Sequence, residues 1–316
     1  MIEVKVVART QEAVDIFSYE LVSVDGELLP AFSAGAHIDV HLPNGLMRQY
    51  SLCNHSEDRN RYVIGVLKDP ASRGGSKAMH DHVRAGQNLI ISEPRNLFPL
   101  NLDAKRTLLF AGGIGVTPIL CMAETLYRLG MDFEMHYCAR SLERTAFQMQ
   151  ILTSLFVDKV FFHFDERPET AMDAASLLAV PQADVHLYVC GPNGFMQHVL
   201  DTGKAQGWSE DNLHREYFSA APVDISSNGV FSVKISSTGN VYQIPADQSV
   251  QQVLGLHGID IPISCEQGVC GTCLTRVLEG VPDHRDMYLT EKEHAANDQF
   301  TPCCSRSKTP LLVIDI

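Results

Sequence analysis

Apolar and polar positions alternate from the first residues of the chain. MIEVKVVART reads as a strand, and GAHIDVHLPNG as another short strand closed by Pro and Gly. Residues 1–100 hold short strands broken in this way, the pattern of a small antiparallel barrel. The pattern then changes. In TLLFAGGIGVTPILCMAETLYRLG, Thr107 to Gly130, an apolar strand runs into glycines and a helix is expected to begin near Pro118. Ile119, Met122, Ala123 and Leu126 line one face of that helix, and Gly130 ends it. VHLYVCGPNGFM, Val185 to Met196, repeats the order of strand, Gly–Pro turn and helix. Two such strand ends on one parallel sheet flank a crevice at its carboxyl edge. A third pattern closes the chain. Phe231, Val233 and Ile235 alternate with Ser232 and Lys234, and Val241–Ile244 follows the Thr238–Gly239–Asn240 turn, predicting a hairpin. Val250, Val253, Leu254 and His257 then share a helical face ahead of Gly258. The stretch SAAPVDISSNG before this region is small, polar and turn-rich, and reads as a linker. No repeat or low-complexity segment is evident.

A length of 316 residues suits two or three domains, and a 45% hydrophobic fraction suits ordinary cores. No apolar run reaches the length of a membrane span, and the N-terminus does not read as a signal peptide, so no membrane association is expected. A net charge of −13 speaks against nucleic acid, whose partners usually carry a basic face. It permits docking on a basic protein. Five of the 9 cysteines lie between residues 265 and 304. An odd, clustered set suits a reducing compartment and a metal cluster better than a disulfide framework, so a cytoplasmic protein is expected. G-x-S-x-G and H-E-x-x-H are absent, leaving hydrolase chemistry without support.

The thiols are the sharpest signal. CEQGVCGTC sets Cys265, Cys270 and Cys273 in the spacing C-x4-C-x2-C, which with a distant fourth cysteine holds a two-iron two-sulfur cluster. The fourth ligand must be Cys303 or Cys304. Gly268 and Gly271 let the loop turn its N–H groups toward the sulfides. A zinc site is the competing reading, but zinc favours two C-x2-C pairs and only one is present. Inert buried thiols are the other.

Three upstream stretches carry weaker signals. The glycine turn before Pro118 would bring N–H groups and the positive helix end to a pyrophosphate. Pro118 stands where a dinucleotide fingerprint has its third glycine, so a plain packing turn is the alternative. In LMRQYSLC, Arg48 offers a cationic fork for a phosphate, Tyr50 a flat ring with a polar tip, and Ser51 a hydroxyl. In VLKDPASRGGSKAMHDHV, Gly74, Gly75, Ser76 and Lys77 open a helix and present N–H groups, a hydroxyl and a charge to a phosphate. His80 and His82, two apart on that helix, face different ways and read as surface residues. No acid ends the strand MHYCARS, where a ribose 2′-OH would be read; Arg140 and Arg144 lie nearby, and Asp165 ends VFFHFD. Cys190 has the bland alternative of a buried strand-end thiol.

Hairpin, helix and cysteine loop together resemble a ferredoxin β-grasp domain. GGIGVTP and CGPNGFM resemble the pyridine-nucleotide domain of the ferredoxin–NADP reductase superfamily, and Arg-x-Tyr-Ser at Arg48–Ser51 resembles its flavin motif. The full order, with the SRGGS loop and FTPCCSRSK, resembles the phthalate dioxygenase reductase family, which includes vanillate O-demethylase reductases.

That resemblance implies an antiparallel flavin-binding β-barrel over residues 1–101 and a parallel-sheet α/β nucleotide-binding domain over 102–220. It implies a linker over 221–228 and a β-grasp ferredoxin domain over 229–316. It implies FMN held by Arg48, Gln49, Tyr50, Ser51, Val66, Leu67, Lys68, Gly74, Gly75, Ser76 and Lys77, with Phe218 as a further cofactor-binding residue. NADH would meet Gly113, Gly115, Thr117, Pro118, Cys190, Gly191 and Pro192, with Ser51 and Cys190 as catalytic residues. The family's ending assigns Cys303 as fourth ligand and leaves Cys304 as a packed, small apolar residue. Adjacent side chains of an extended segment also point to opposite sides, so only one of the two cysteines faces a cluster. The implied activity is electron transfer from NADH through FMN and the cluster to a Rieske-type oxygenase or O-demethylase acting on an aromatic compound, by a monomer. A reductase serving a diiron monooxygenase and a non-enzymatic redox sensor are the rival readings.

Overall fold

The computed structural model describes residues 1–219 and 228–316, so all of the expected linker except Asn228 lies outside the described residues. The chain divides into two compact units, Met1–Glu216 and Tyr217–Ile316.

The alternating segments at the start of the first unit form strands β1 (Ile2–Ala13), β2 (Ile16–Ser23), β3 (Ala36–His41), β4 (Met47–Ser51), β5 (Tyr62–Leu67), β6 (Asn88–Ile91) and β7 (Arg95–Asn96). They make one antiparallel sheet in the order β4-β3-β6-β1-β2-β5, with β7 against β3. A bridge from Leu52 to Ile64 links the end of β4 to β5, bringing the two edges together. Such closure removes free edges. Val4, Val6, Tyr19, Leu21, Ile38, Val40, Tyr62 and Ile64 fill the interior. The helix Gly75–His82 packs its Ala78 and Met79 into the same core.

The long apolar segments form β8 (Arg106–Gly112), β9 (Asp132–Ala139), β10 (Val160–Phe164), β11 (Val185–Cys190) and β12 (Leu213–Glu216). All pair in parallel in the order β10-β9-β8-β11-β12. The chain therefore reverses direction across the sheet between β8 and β11. The helix Val116–Arg128 starts two residues before Pro118 and buries Ile119, Met122, Ala123 and Leu126. The helix Asn193–Ala205 follows β11.

The second unit carries β13 (Phe231–Ile235), β14 (Val241–Ile244), β15 (Thr275–Glu279), β16 (Pro282–Asp283), β17 (Gln299–Phe300), β18 (Arg306–Ser307) and β19 (Leu311–Ile314). Its main sheet runs β14-β13-β19-β15-β17, and β13 pairs with β19 in parallel. The helix Val250–Leu256 starts on a capping box at Ser249 and Gln252 and buries Val250, Val253 and Leu254. His257 caps its C-terminal end and meets the Tyr242 ring at 4.7 Å. Among the described residues no helix is long and apolar enough to cross a membrane.

Buried histidines mark the parallel sheet. His136 is 3% exposed, stacked between Phe110 and Phe161 at 5.2 Å, with Nδ1 3.0 Å from Nε2 of His163. Burial, then His163 and Arg106, push its pKa down to about 4. His214 lies 4.3 Å from the Tyr188 ring and is pushed to about 4 by burial and His186. Both folded pKa values lie below the unfolded value of about 6.5. The unfolded chain therefore binds more protons between these values, so the stability they contribute is full above about pH 6.5 and is lost as pH falls toward 4. Denaturant titrations across this window should show a loss of roughly 3 kcal/mol from His136 alone. The loss should be smaller in His136→Phe, and a variant with the parent's pH dependence would refute the assignment.

Candidate functional site

In the first unit, Arg48 leaves β4 and lies across the start of the helix Gly75–His82. A Cβ on Gly75 would fall 2.5 Å from Arg48 Cγ and Nε, so only glycine admits the guanidinium there. Arg48 donates to the carbonyls of Met47 at 2.7 Å and Arg73 at 3.4 Å. Gly74 is the N-cap at φ +94°, and no side chain caps the helix. An uncapped helix start with a guanidinium over it is a fitting cradle for a phosphate. Ser76 Oγ accepts from Asp69 N at 3.2 Å. Lys68 and Lys77 both pair with Asp81, whose carboxyl they hold well below its ordinary range.

Tyr50 is half-buried, and burial pushes its phenol upward, keeping it neutral. Gln49 Nε2 lies 3.2 Å from His37 Nε2. Val66 is buried and Leu67 half-buried. His80 is not a surface residue. It is 5% exposed, with Nε2 2.9 Å from Val66 O and an edge contact to Phe17. The helix packs on β5, so a two-residue step turns His80 inward while His82 stays exposed.

At the reversal in the parallel sheet, the turns after β8 and β11 touch backbone to backbone. A Cβ on Gly115 would collide with the Cys190 carbonyl, and one on Gly191 would fall 2.8 Å from Gly112 Cα. This crevice outside the strand ends is where open α/β sheets bind ligands. Gly113, at φ +52°, is half-exposed, whereas Gly115, Thr117 and Pro118 are buried. Thr117 Oγ1 donates to Ile114 O at 3.0 Å, stitching the turn from inside. Cys190 is 0% exposed, and burial pushes its thiol well up, with Glu216 adding to the shift, so it is neutral.

Glu216, missed in the sequence, sits beside Cys190 in register on β12. Ser51 Oγ donates to Glu216 Oε2 at 3.1 Å, and His37 Nδ1 lies 4.0 Å from Oε1. Burial raises the Glu216 carboxyl to about 8, against the Ser51 hydrogen bond. A carboxylate ending a strand of a parallel sheet was the signal that would have found it. The bond joins the end of β4 to the end of β12 and so brings Ser51, Cys190 and Glu216 together. Phe218 is 42% exposed and belongs to the second unit.

In the second unit, the thiol loop turns through left-handed φ values at Glu266, Gly268 and Gly271. The N–H groups of Gln267 and Val269 each donate to Cys265 Sγ at 3.4 Å. The Cys265 thiol meets Cys270 and Cys303, which hold its pKa low, and Cys273 meets Cys303. Four converging thiols with N–H groups turned to sulfur fit a two-iron two-sulfur cluster. Residues 301–304 form a turn rather than an extended segment, with Cys304 N donating to Thr301 O at 3.2 Å. Cys304 also departs from the expected apolar packing, since its sulfur meets the Thr301 hydroxyl at 3.3 Å and the Ser305 hydroxyl at 3.9 Å. Cys303, not Cys304, is the thiol that meets both Cys265 and Cys273.

Comparison with known proteins agrees with this geometry. A family model described as a 2Fe-2S iron-sulfur cluster binding domain matches residues 233–308. A vanillate O-demethylase oxidoreductase of Pseudomonas putida is 66% identical over 317 residues, covering 100% of both chains. A phthalate dioxygenase reductase of Burkholderia cepacia is 40% identical, covering 100% of this chain and 97% of that one. The solved structure of a phthalate dioxygenase reductase, titled as a modular structure for electron transfer from pyridine nucleotides to [2Fe-2S], superposes with a TM-score of 0.78 at 39% identity. It covers 100% of this chain and 98% of that chain. The chain is a flavin and iron–sulfur electron-transfer oxidoreductase. It belongs to the family of vanillate O-demethylase oxidoreductases and phthalate dioxygenase reductases, and serves as the reductase component of an oxygenase.

The two neighbouring thiols are separable by mutation. Cys303→Ser is expected to lose or strongly perturb the cluster's visible absorbance and reduced-state EPR signal while keeping bound flavin. Cys304→Ser should leave both signals nearly intact, and the reverse pattern would reassign the fourth ligand.

Proposed function

We propose that the chain passes electrons from NADH through FMN and a two-iron two-sulfur cluster to a Rieske-type oxygenase that O-demethylates an aromatic substrate. The observation that carries this reading is the Ser51–Glu216 hydrogen bond at 3.1 Å. It joins the strand that begins at the Arg48 phosphate cradle to the strand-end crevice beside Cys190, so one pocket wall serves two cofactors. Flavin, when bound, accepts a hydride and releases electrons singly, which a nicotinamide and a cluster cannot do for each other.

The chain's own residues bind and orient. Arg48, Gly74, Gly75 and Ser76 hold the flavin phosphate at the helix start. Lys68 and Lys77 reach it only by loosening their hold on Asp81. Tyr50, with Gln49, Val66 and Leu67, lines the ring system. Ser51, which donates to Glu216 at 3.1 Å, offers its hydroxyl to the reactive edge of the ring system. Gly113 receives the dinucleotide, while Gly115, Thr117 and Pro118 shape the turn from behind. Cys190, Gly191 and Pro192 lie by the nicotinamide, where the neutral Cys190 thiol excludes water without adding charge. Cys265, Cys270, Cys273 and Cys303 ligate the irons. The corresponding division is residues 1–101 for FMN, 102–220 for NADH, a linker over 221–228, and 229–316 for the cluster.

The partner side follows from charge. Glu266 and Glu291 are exposed in the thiol-loop unit, whereas Asp283 is bound to Arg285 and Glu293 to its own helix cap. The net charge of −13 suits a basic face on the oxygenase and not nucleic acid. An odd, clustered set of cysteines suits the cytoplasm, and a monomer leaves the cluster unit free to dock.

Flavin released by heat should co-migrate with FMN on a chromatogram, and an FAD peak would overturn that part of the reading. Electrons should reach cytochrome c from NADH at a steady rate, which a mere sensor would not support. Reduction of the oxygenase should slow as ionic strength rises past the point where the Debye length is about 10 Å; a rate indifferent to salt would remove the electrostatic docking argument.

A further inference from the structure

We propose that His284, Asp286 and His294 form a binding site for a borderline divalent transition cation, with Zn²⁺ as the representative, separate from the four thiols. The three offer donor atoms that all lie within 4.8 Å of one another. Asp286 Oδ1 is 3.8 Å from His284 Nδ1, and Oδ2 is 3.2 Å from His294 Nε2. Tetrahedral zinc with bonds of 2.0–2.1 Å sets its donors roughly 3.3 Å apart, so only small side-chain shifts are needed.

His284 supplies the independent reason to expect a ligand. Its side chain is 7% exposed, and no group meets either ring nitrogen in full hydrogen-bond geometry, the Asn297 side chain being the one neighbour near enough to act on it as a weaker hydrogen-bond partner. Buried polar groups in native proteins are nearly always satisfied, and an ion is one of the few ways to satisfy this one. The two imidazoles stack at 4.4 Å with a 25° tilt, each presenting a nitrogen to the same carboxylate. Asp286 is itself held. Its Oδ2 accepts from Leu289 N at 2.8 Å and its Oδ1 from Ser305 Oγ at 3.4 Å. Metal-ligating carboxylates are commonly oriented in this way. Two imidazoles and one carboxylate select zinc-like ions over Mg²⁺ or Ca²⁺, which take oxygen shells. His294, 29% exposed, leaves an entry path and room for water in a fourth position.

Occupancy would tie two pieces of chain: the loop after β16, which carries His284 and Asp286, and the helix Glu291–Ala296, which carries His294. That loop lies on the thiol loop. Met287 N donates to Gly268 O at 3.0 Å, a Cβ on Gly268 would fall 2.9 Å from Asp286 Cα, and the Tyr288 ring covers Gly271. A bound cation would therefore brace the cover of the cluster loop.

The test is equilibrium dialysis of the full-length holoprotein against Zn²⁺, with iron content and cluster absorbance followed in the same samples. One zinc per chain should bind with iron retained, and the thermal midpoint should rise with Zn²⁺. His294→Ala, on a partly exposed helix, should fold and keep its iron, yet bind zinc at least about tenfold more weakly and lose the midpoint shift. His294→Gln, which keeps the volume, should behave likewise. No saturable zinc in the iron-loaded wild type, unchanged affinity in either variant, or zinc uptake matched by iron loss would each overturn the proposal.

Discussion

The nucleotide-binding half of the first unit depends on two turns approaching each other without side chains between them. Gly112 at the end of β8 and Gly115 in the turn beyond it meet Gly191 and the β11 end residue Cys190 at backbone distance. A single Cβ at Gly115 would push against a carbonyl that cannot move without unpairing β11 from its neighbours. Core backbone of this kind does not yield cheaply. Because the turns touch, the helix start at Val116 and the Gly191–Pro192 turn stand side by side, and the crevice is as narrow as the backbone allows. Everything placed there inherits this geometry, including the buried Cys190 thiol and the adjacent Glu216.

Glu216 shows how the unit manages a buried charge. Its side chain is 14% exposed, and burial shifts it toward the neutral form, yet it keeps one strong donor in Ser51. Desolvation raises the carboxyl toward neutral pH and here outweighs the opposing hydrogen bond. The stacked histidines of the parallel sheet follow the same physics with the opposite outcome. His136 and His214 are held neutral by burial and by histidine neighbours, so they act as polar aromatic packing. The site thus contains one poised acid among groups that burial has silenced.

The thiol loop of the second unit reaches a comparable precision by another route. Left-handed turns at Glu266, Gly268 and Gly271 aim N–H groups inward, and the segment around Asp286 and Tyr288 closes over the glycines. Glycine is needed at Gly268 and Gly271 twice over, for φ and for space. Cys304 lies on the rim of this arrangement, bonded to hydroxyls.

Much of this was legible in the amino-acid sequence, because it rests on local rules. Alternation, apolar runs into glycine, and the C-x4-C-x2-C spacing are short-range signals of strands, strand–helix turns and a thiol loop, and the three larger sheets follow them. What tertiary structure alone decided depends on residues far apart in the chain. Ser51 and Glu216 are 165 positions apart, and no periodicity links them. His80 turned inward because its helix packs on β5, which the spacing of two histidines does not reveal. Lys68 and Lys77 both found Asp81, and Asp286 gathered two histidines. The helix begins at Val116, so Pro118 lies in its first turn as the sequence suggested, and a short 3-10 turn precedes it. Local pattern selects elements; the burial of one element against another selects which polar groups must find each other, since each left unpaired inside would cost more than its packing returns.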